Sequence, residues 1–354
     1  MEQRIRFCTA PDGVRLAYAT SGKGPPLVRA PHWLTHLEFD WRSPVWRPWM
    51  QALSSRHTLV RFDPRGCGLS DREVADLGFD AWVRDLETVV KAAGLERFAL
   101  FGASQGAPVA VAYTVRHPER VTKLVLHGGY ARGRLARAST PRDEEEAETV
   151  VHLARVGWGT GNPVFRQVFT RLFTPGGTPE QVRWFNDLSR VSTSGENAAR
   201  MLNMVHRIDV RALAPQVRAP TLVTHARGDA RVPFEEGRLL ASLIPGAQFV
   251  PLETANHILL AAEPAWRAFF ETVEEFLAPG EASVSELAAE LTAREREILE
   301  LIAQGLANPG IAELLGIGPH TLRNHITSIF DKIGAGTRAE AIVRARDAGF
   351  GRCA

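Results

Sequence analysis

Short apolar runs alternate with amphipathic stretches along the first 130 residues of this 354-residue chain. Residues 14–20, 27–30, 57–62, 98–101 and 121–127 have the length and apolar content of buried strands. Between them, 44–53, 79–93 and 105–116 repeat apolar residues at helical spacing. Alternation of this kind predicts a mostly parallel sheet covered by helices. Turn residues punctuate it, most densely at Asp63-Pro64-Arg65-Gly66-Cys67-Gly68.

The pattern breaks over residues 131–214, where strand signals vanish. That segment is amphipathic and helical. It includes the charged run 142–148 and carries Trp158, Phe165, Phe169, Phe173, Trp184 and Phe185. It is expected to be a helical insertion over the sheet, a cap. Alternation then resumes, with strands at 221–225 and 248–251 and helices at 234–243 and 264–277. Pro279-Gly280-Glu281-Ala282-Ser283 marks a boundary by its small, turn-forming residues. The expected domains are 1–278, a linker at 279–290, and 291–354. A short helix at 284–291 is expected to bridge them.

Beyond that boundary the pattern predicts four short helices. Thr292-Ala293-Arg294-Glu295 is a capping box that opens the first, and Gly305 closes it. Asn308 is expected to cap the second, with Pro309 at its first position. Ala312, Gly316 and Leu322 fall at the spacing of a helix-turn-helix: a small contact residue, a turn glycine and an apolar anchor. Pro319 starts the next helix, and Thr337-Arg338-Ala339-Glu340 caps the last, 339–348.

Composition adds limits. Hydrophobic content of 45% and charge of 23% are those of an ordinary globular chain. No apolar run is long enough to span a bilayer, and the chain starts without a signal-peptide pattern. The three cysteines, Cys8, Cys67 and Cys353, are far apart, which argues against a disulfide framework or zinc site and for a reducing, cytoplasmic setting. Cys67, in the tight turn, is assigned a structural role. Basic charge gathers late: residues 319–352 hold six basic and three acidic residues, against two and seven over 280–318. That asymmetry fits an anionic partner.

The chemistry concentrates at Gly102-Ala103-Ser104-Gln105-Gly106. A chain leaving a strand and turning sharply into a helix holds the serine in a strained conformation, and its neighbours must be glycine to avoid clashes. The helix N-terminus then favours negative charge developing at the serine. Such a nucleophile needs an acid and a histidine, in that chain order. Asp229 follows the strand at 221–225 and His257 follows that at 248–251, both at strand C-termini where open α/β sheets place their sites.

With the Asp63–Ser70 turn, these segments make residues 1–277 resemble the α/β-hydrolase superfamily of the kind with a helical cap. The resemblance implies Ser104 as nucleophile, His257 as general base and Asp229 as its orienting acid. It implies an oxyanion hole made by the backbone N–H of Gln105 and, from Pro31-His32-Trp33, that of Trp33. Many members have His-Gly in that loop, so this chain departs from the pattern there. Loss of one such donor typically costs about 10²–10³ in rate. A serine nucleophile favours acyl transfer from an ester, lactone, thioester or amide to water. Trp33, Trp41, Trp46 and Trp49 suggest a mostly apolar pocket. No cofactor and no metal are expected.

Leu291-Thr292-Ala293-Arg294-Glu295-Arg296-Glu297 and Thr321-Leu322-Arg323-Asn324-His325 closely resemble the LuxR-type (NarL-type) DNA-binding domain. Pro309-Gly310 and Pro319-His320 depart from it. The resemblance implies that Thr321, Arg323, Asn324 and His325 meet the major groove or its phosphates, that Lys332 meets the backbone, and that the last helix forms a homodimer. The two motifs together imply a ligand-responsive transcriptional regulator whose partners are operator DNA and a small apolar ligand. The alternative is an active serine hydrolase with an accessory DNA-binding module.

Overall fold

The computed structural model describes residues 2–32, 34–158, 160, 163–278 and 291–351. The chain divides into two compact units, residues 1–275 and 276–354.

The larger unit is built on an eight-stranded sheet in the order β1-β2-β4-β3-β5-β6-β7-β8. β1 (Gln3–Thr9) and β2 (Arg15–Ser21) form an antiparallel hairpin, and β2 runs antiparallel to β4 (Thr58–Phe62). From β4 onward the strands are parallel: β3 (Pro26–Ala30), β5 (Phe98–Ala103), β6 (Val121–His127), β7 (Thr221–Ala226) and β8 (Gln248–Leu252). β7 is buried at every position, as an apolar run in a sheet covered on both faces should be. The mostly parallel α/β expectation holds, and most predicted strands start and end within a residue or two of those observed.

Two elements escaped the sequence pattern. β1 has no buried residue and lies at the sheet edge, so it carries no core-facing stripe. Helix α1 (Leu37–Arg42) is six residues long, too short for a helical period. The other helices around the sheet are α2 (Trp46–Ser54), α3 (Phe79–Ala92), α4 (Gly106–Arg116), α9 (Phe234–Leu243) and α10 (Pro264–Leu277).

The Asp63–Ser70 turn braces this frame. Asp63 Oδ2 accepts from the Leu37 and Leu69 N–H groups at 3.1 and 2.9 Å. Arg65 pairs with Asp85 of α3 at 2.7 Å, both buried. Burial pushes the Asp85 carboxyl up, and Arg65 pulls it back only in part.

Between β6 and β7 the chain forms four helices: α5 (Pro141–Gly157), α6 (Pro163–Phe173), α7 (Pro179–Ser192) and α8 (Gly195–Arg207). Thr140 and Thr178 open α5 and α7 with complete capping boxes. The α6–α7 connection is fastened to the loop after β8. The Ile258 N–H donates to Phe173 O at 3.1 Å, and the Gly176 N–H to Asn256 Oδ1 at 2.9 Å.

The smaller unit contains α11 (Ala293–Ala303), α12 (Asn308–Leu315), α13 (Pro319–Ile333) and α14 (Arg338–Asp347) around a core that includes Ile298, Ile302, Ile311, Leu322 and Ile329. Thr292 caps α11 in a full capping box, as expected. One cap differs. Ala307, not Asn308, is the N-cap of α12, because Asn308 Oδ1 is taken by Arg338 Nη1 at 2.7 Å. The predicted bridging helix at 284–291 lies almost wholly outside the described residues.

Candidate functional site

β5 delivers Ser104 to the mouth of the sheet. Its φ of 53° makes it the non-glycine residue with positive φ among those described. That left-handed conformation costs on the order of 1–3 kcal/mol, held here by the surrounding packing. The flanking glycines are required by close approach. A Cβ on Gly102 would stand 2.7 Å from Gly106 O and 2.8 Å from Ala107 Cα. A Cβ on Gly106 would stand 2.9 Å from Pro31 O. The turn therefore brings α4 down onto both β5 and the loop after β3. Gln105 stands at the N-terminus of α4, where helix N–H groups lack intrahelical partners.

Asp229 and His257 meet as the sequence order predicts. His257 Nδ1 lies 2.6 Å from Asp229 Oδ2, and both side chains are buried. The other carboxylate oxygen accepts from the Arg231 and Val232 N–H groups at 2.8 and 2.9 Å. Burial alone would raise the Asp229 carboxyl. The charge and hydrogen bond of His257, with the Val232 N–H, outweigh it and hold the acid below its ordinary range.

Ser104 and His257 line one cavity with Leu34, Trp46, Phe173 and Phe185. Its free volume is about 20 Å³, enough for a water molecule. Ligand sites for drug-sized molecules run to ~300–1,000 Å³. Helices of the β6–β7 connection wall it: α6 supplies Phe173, whose ring meets His257 edge-on at 5.5 Å, and α7 supplies Phe185. The Ser104 hydroxyl is buried and, among the described residues, makes no hydrogen bond, to His257 or to any other group. Such contacts are often loose until substrate arrives.

Two more histidines line the cavity that sequence reasoning did not single out. His127, at the end of β6, bonds Thr224 Oγ1 through Nδ1 at 2.9 Å, and burial pushes its pKa down to about 3. His32 stacks on Trp46 at 4.7 Å, and burial holds it well below the usual histidine range. Both are neutral polar groups facing an apolar space. No sequence signal separates them from core histidines. Trp33, expected to give the second oxyanion N–H, lies outside the described residues.

In the smaller unit, Thr321, Arg323 and Asn324 project exposed from α13, and His325 is half-buried. Lys332 does not extend freely from the helix. Its ammonium is held by Glu295 at 2.6 and 2.8 Å, because Glu295 closes the capping box of α11 and draws the lysine in. Ser328 donates to the same carboxylate at 2.8 Å. Together with the Thr292 N–H they hold the Glu295 pKa down to about 2. Most of the late basic charge is also engaged. Arg344 donates to Ile333 O and Arg346 to Ala303 O, each the last residue of another helix, and Arg338 donates to Leu306 O just beyond α11.

The profile of the alpha/beta hydrolase fold covers residues 39–264, and that of the luxR family of bacterial regulatory proteins covers 289–345. A pyrrolizixenacetamide deacetylase of Xenorhabdus hominickii is 28% identical over 267 residues, 74% of this chain and 92% of that protein. A hydrolase from Pseudomonas aeruginosa PA01 matches with a TM-score of 0.65 at 23% identity, over 78% of this chain and 98% of its own. The enol-lactonase from Burkholderia xenovorans LB400 matches with a TM-score of 0.63 at 24% identity, over 77% and 99%. At these identities the solved structures establish the fold alone. Among the described residues, no helix is long and apolar enough to cross a membrane.

Proposed function

Because the chain belongs to the alpha/beta hydrolase fold family and ends in a luxR-family regulatory domain, we propose that it is a DNA-binding transcriptional regulator whose hydrolase-fold unit senses a small ligand. The sensor is residues 1–278 with its cap at 131–214, the linker is 279–290, and the reader is 291–354. The observation that carries the reading is the cavity. A strained serine and an oriented histidine line a space of about 20 Å³ under a fastened cap. A ligand entering it must displace α6 and α7, and that movement is the signal. The ligand is an ester, lactone or similar acyl compound with an apolar body, matching the aromatic walls.

In this reading Ser104 Oγ attacks the acyl carbon while His257 accepts its proton through Nε2. Asp229 holds the imidazole through Nδ1, and the Gln105 and Trp33 N–H groups receive the oxyanion. Thr321, Arg323, Asn324 and His325 of α13 contact DNA. Lys332 serves the fold instead. α14 joins two copies, and the protein works in the cytoplasm beside its operator.

The second reading is a working serine hydrolase with an accessory DNA module. The short His257–Asp229 contact, with both carboxylate oxygens satisfied, favours it.

A fluorophosphonate probe tests both. Intact mass is measured on wild type and Ser104→Ala, and the labelled protein is then titrated against DNA fragments selected by the unlabelled one. Labelling that requires Ser104, with changed operator affinity, is expected for the sensor. Operator affinity indifferent to the adduct sinks the sensing claim. Rapid turnover of acyl substrates with no selected DNA favours the second reading.

A further inference from the structure

A second cavity lies on the other side of Gln105. Its lining includes Gln105, Tyr130, Arg134, Arg137, His206 and Arg231, brought together from the loop after β6, the end of α8 and the loop after β7. Its free volume is about 10 Å³, the space of about one water, so a larger group would need its walls to move. Gln105 lines both cavities. The Arg231 guanidinium stands 5.5 Å over the ring of Phe173, which walls the Ser104 side. The two cavities are therefore separated by side chains and not by main chain alone.

The second cavity is cationic, and two of its lining residues, Arg137 and Arg231, form no salt bridge among the described residues. The nearby carboxylates are engaged elsewhere. Glu236 pairs with Arg132 at 2.7 Å, Glu146 with Arg134 at 3.0 Å, and Asp229 with His257. Arg137 donates to the Arg132 carbonyl at 3.2 Å, and both arginines are half-buried. Desolvation lowers the pKa of both guanidiniums, a cost that a bound anion would offset. His206 is buried with neither ring nitrogen hydrogen-bonded, and the Gln105 side-chain oxygen is buried without a partner. Burial, then the arginine charges, push His206 down to about 3, so it is neutral and keeps one N–H to donate. Buried polar groups without partners are rare; the His206 N–H suits an acceptor, whereas the Gln105 oxygen, itself an acceptor, suits a donor such as water. Two forked cations beside a neutral donor match a carboxylate.

We propose that this cavity is an anion subsite that holds the carboxylate of a small ligand between Arg137 and Arg231. The proposal rests on the reading of Ser104 for one point only, that an acyl group of the same molecule lies in the neighbouring cavity. An acyl ligand with a carboxylate tail would fill both spaces and displace the Arg231–Phe173 partition. A free small dicarboxylate would seat one carboxylate there, its remaining atoms displacing the same partition.

Full-length wild type, Arg137→Gln, Arg231→Gln and Ser104→Ala are titrated with glutarate, with its neutral dimethyl ester as control. Binding is read by calorimetry and by thermal shift. Glutarate is expected to bind wild type and Ser104→Ala alike and at least tenfold more weakly to each arginine variant. The second variant keeps the test alive if the first fails to fold. Hydrolysis of mono-p-nitrophenyl glutarate is then compared with that of p-nitrophenyl butyrate. A tenfold preference for the charged ester, lost in Arg137→Gln, identifies the occupant as the tail of the substrate. Glutarate binding without that preference identifies a separate carboxylate, and the subsite still stands. No glutarate binding, or binding unchanged in Arg137→Gln, overturns the proposal. Fluorophosphonate labelling of Arg137→Gln reports on Ser104 separately. Glutarate binding with an unreactive serine would sink the nucleophile reading and leave the subsite intact.

Discussion

The larger unit turns its charges inward, whereas the smaller unit spends them on helix ends. In the first, Arg65 and Asp85 are 1% and 0% exposed at 2.7 Å, and Arg29 lies buried over the Trp46 ring at 4.5 Å. In the second, Arg294, Arg338, Arg344 and Arg346 each donate to a main-chain carbonyl at or just past the end of another helix. The difference follows from size. A large core can keep fixed charges in a dry interior, where their interactions are several times stronger than in water. A small bundle buries too little for more than a few: Glu295 is its one buried charge among the described residues, and the Lys332 paired with it keeps 34% of its side chain exposed. The bundle's arginines satisfy exposed carbonyls and leave the face of α13 with Thr321, Arg323 and Asn324 free for a partner.

This contrast can be broken most sharply at Ser104. Ser104→Ala is expected to abolish fluorophosphonate labelling while leaving the melting temperature within a few degrees of wild type, read by intact mass and calorimetry. Residual labelling would locate the reactive group elsewhere. Next in size is Arg65→Met, which leaves Asp85 buried without its cation and should cost about 3–5 kcal/mol in denaturant unfolding. A loss below 1 kcal/mol would mean that interior charges are not what holds the larger unit.

The smaller unit is probed at Glu295. Its folded pKa of about 2 lies below its ordinary value, so its stabilising contribution is present above that ordinary value. The contribution is lost as pH falls through the folded pKa. Melting of the smaller unit should weaken between pH ~4.5 and ~2, and Glu295→Gln should flatten that slope. At neutral pH the same change is expected to cost about 2 kcal/mol, the worth of hydrogen bonds to a charged group. An unchanged acid limb would separate Glu295 from the packing of α13. The smallest effect is Thr292→Ala, about 1 kcal/mol for a lost N-cap, measured by chemical denaturation.

Much of the fold was legible because its signals are short-range. Buried parallel strands are apolar runs, and Thr140, Thr178 and Thr292 act on residues three positions away. The elbow was legible for the same reason, since the glycines, the serine and the turn are neighbours. The pairing of Asp229 with His257 followed from chain order and strand ends, although 28 residues separate them. The partner of Lys332 was not legible, because Glu295 lies 37 residues away and nothing local marks the pair.

By itself, then, the sequence determined the α/β layering, the strained serine, the chain order of Asp229 and His257 and the helix-turn-helix with the Thr292 capping box. Each of these is set by a few adjacent residues or by a hydrophobic period. Only the tertiary structure decided that His32 and His127 share a cavity with Ser104, that Phe173 and Phe185 leave about 20 Å³ there, and that Arg137 and Arg231 line a second cavity with His206. Those outcomes depend on side chains from distant segments filling one space. A cavity is the small remainder after large volumes pack together, and no local pattern encodes it.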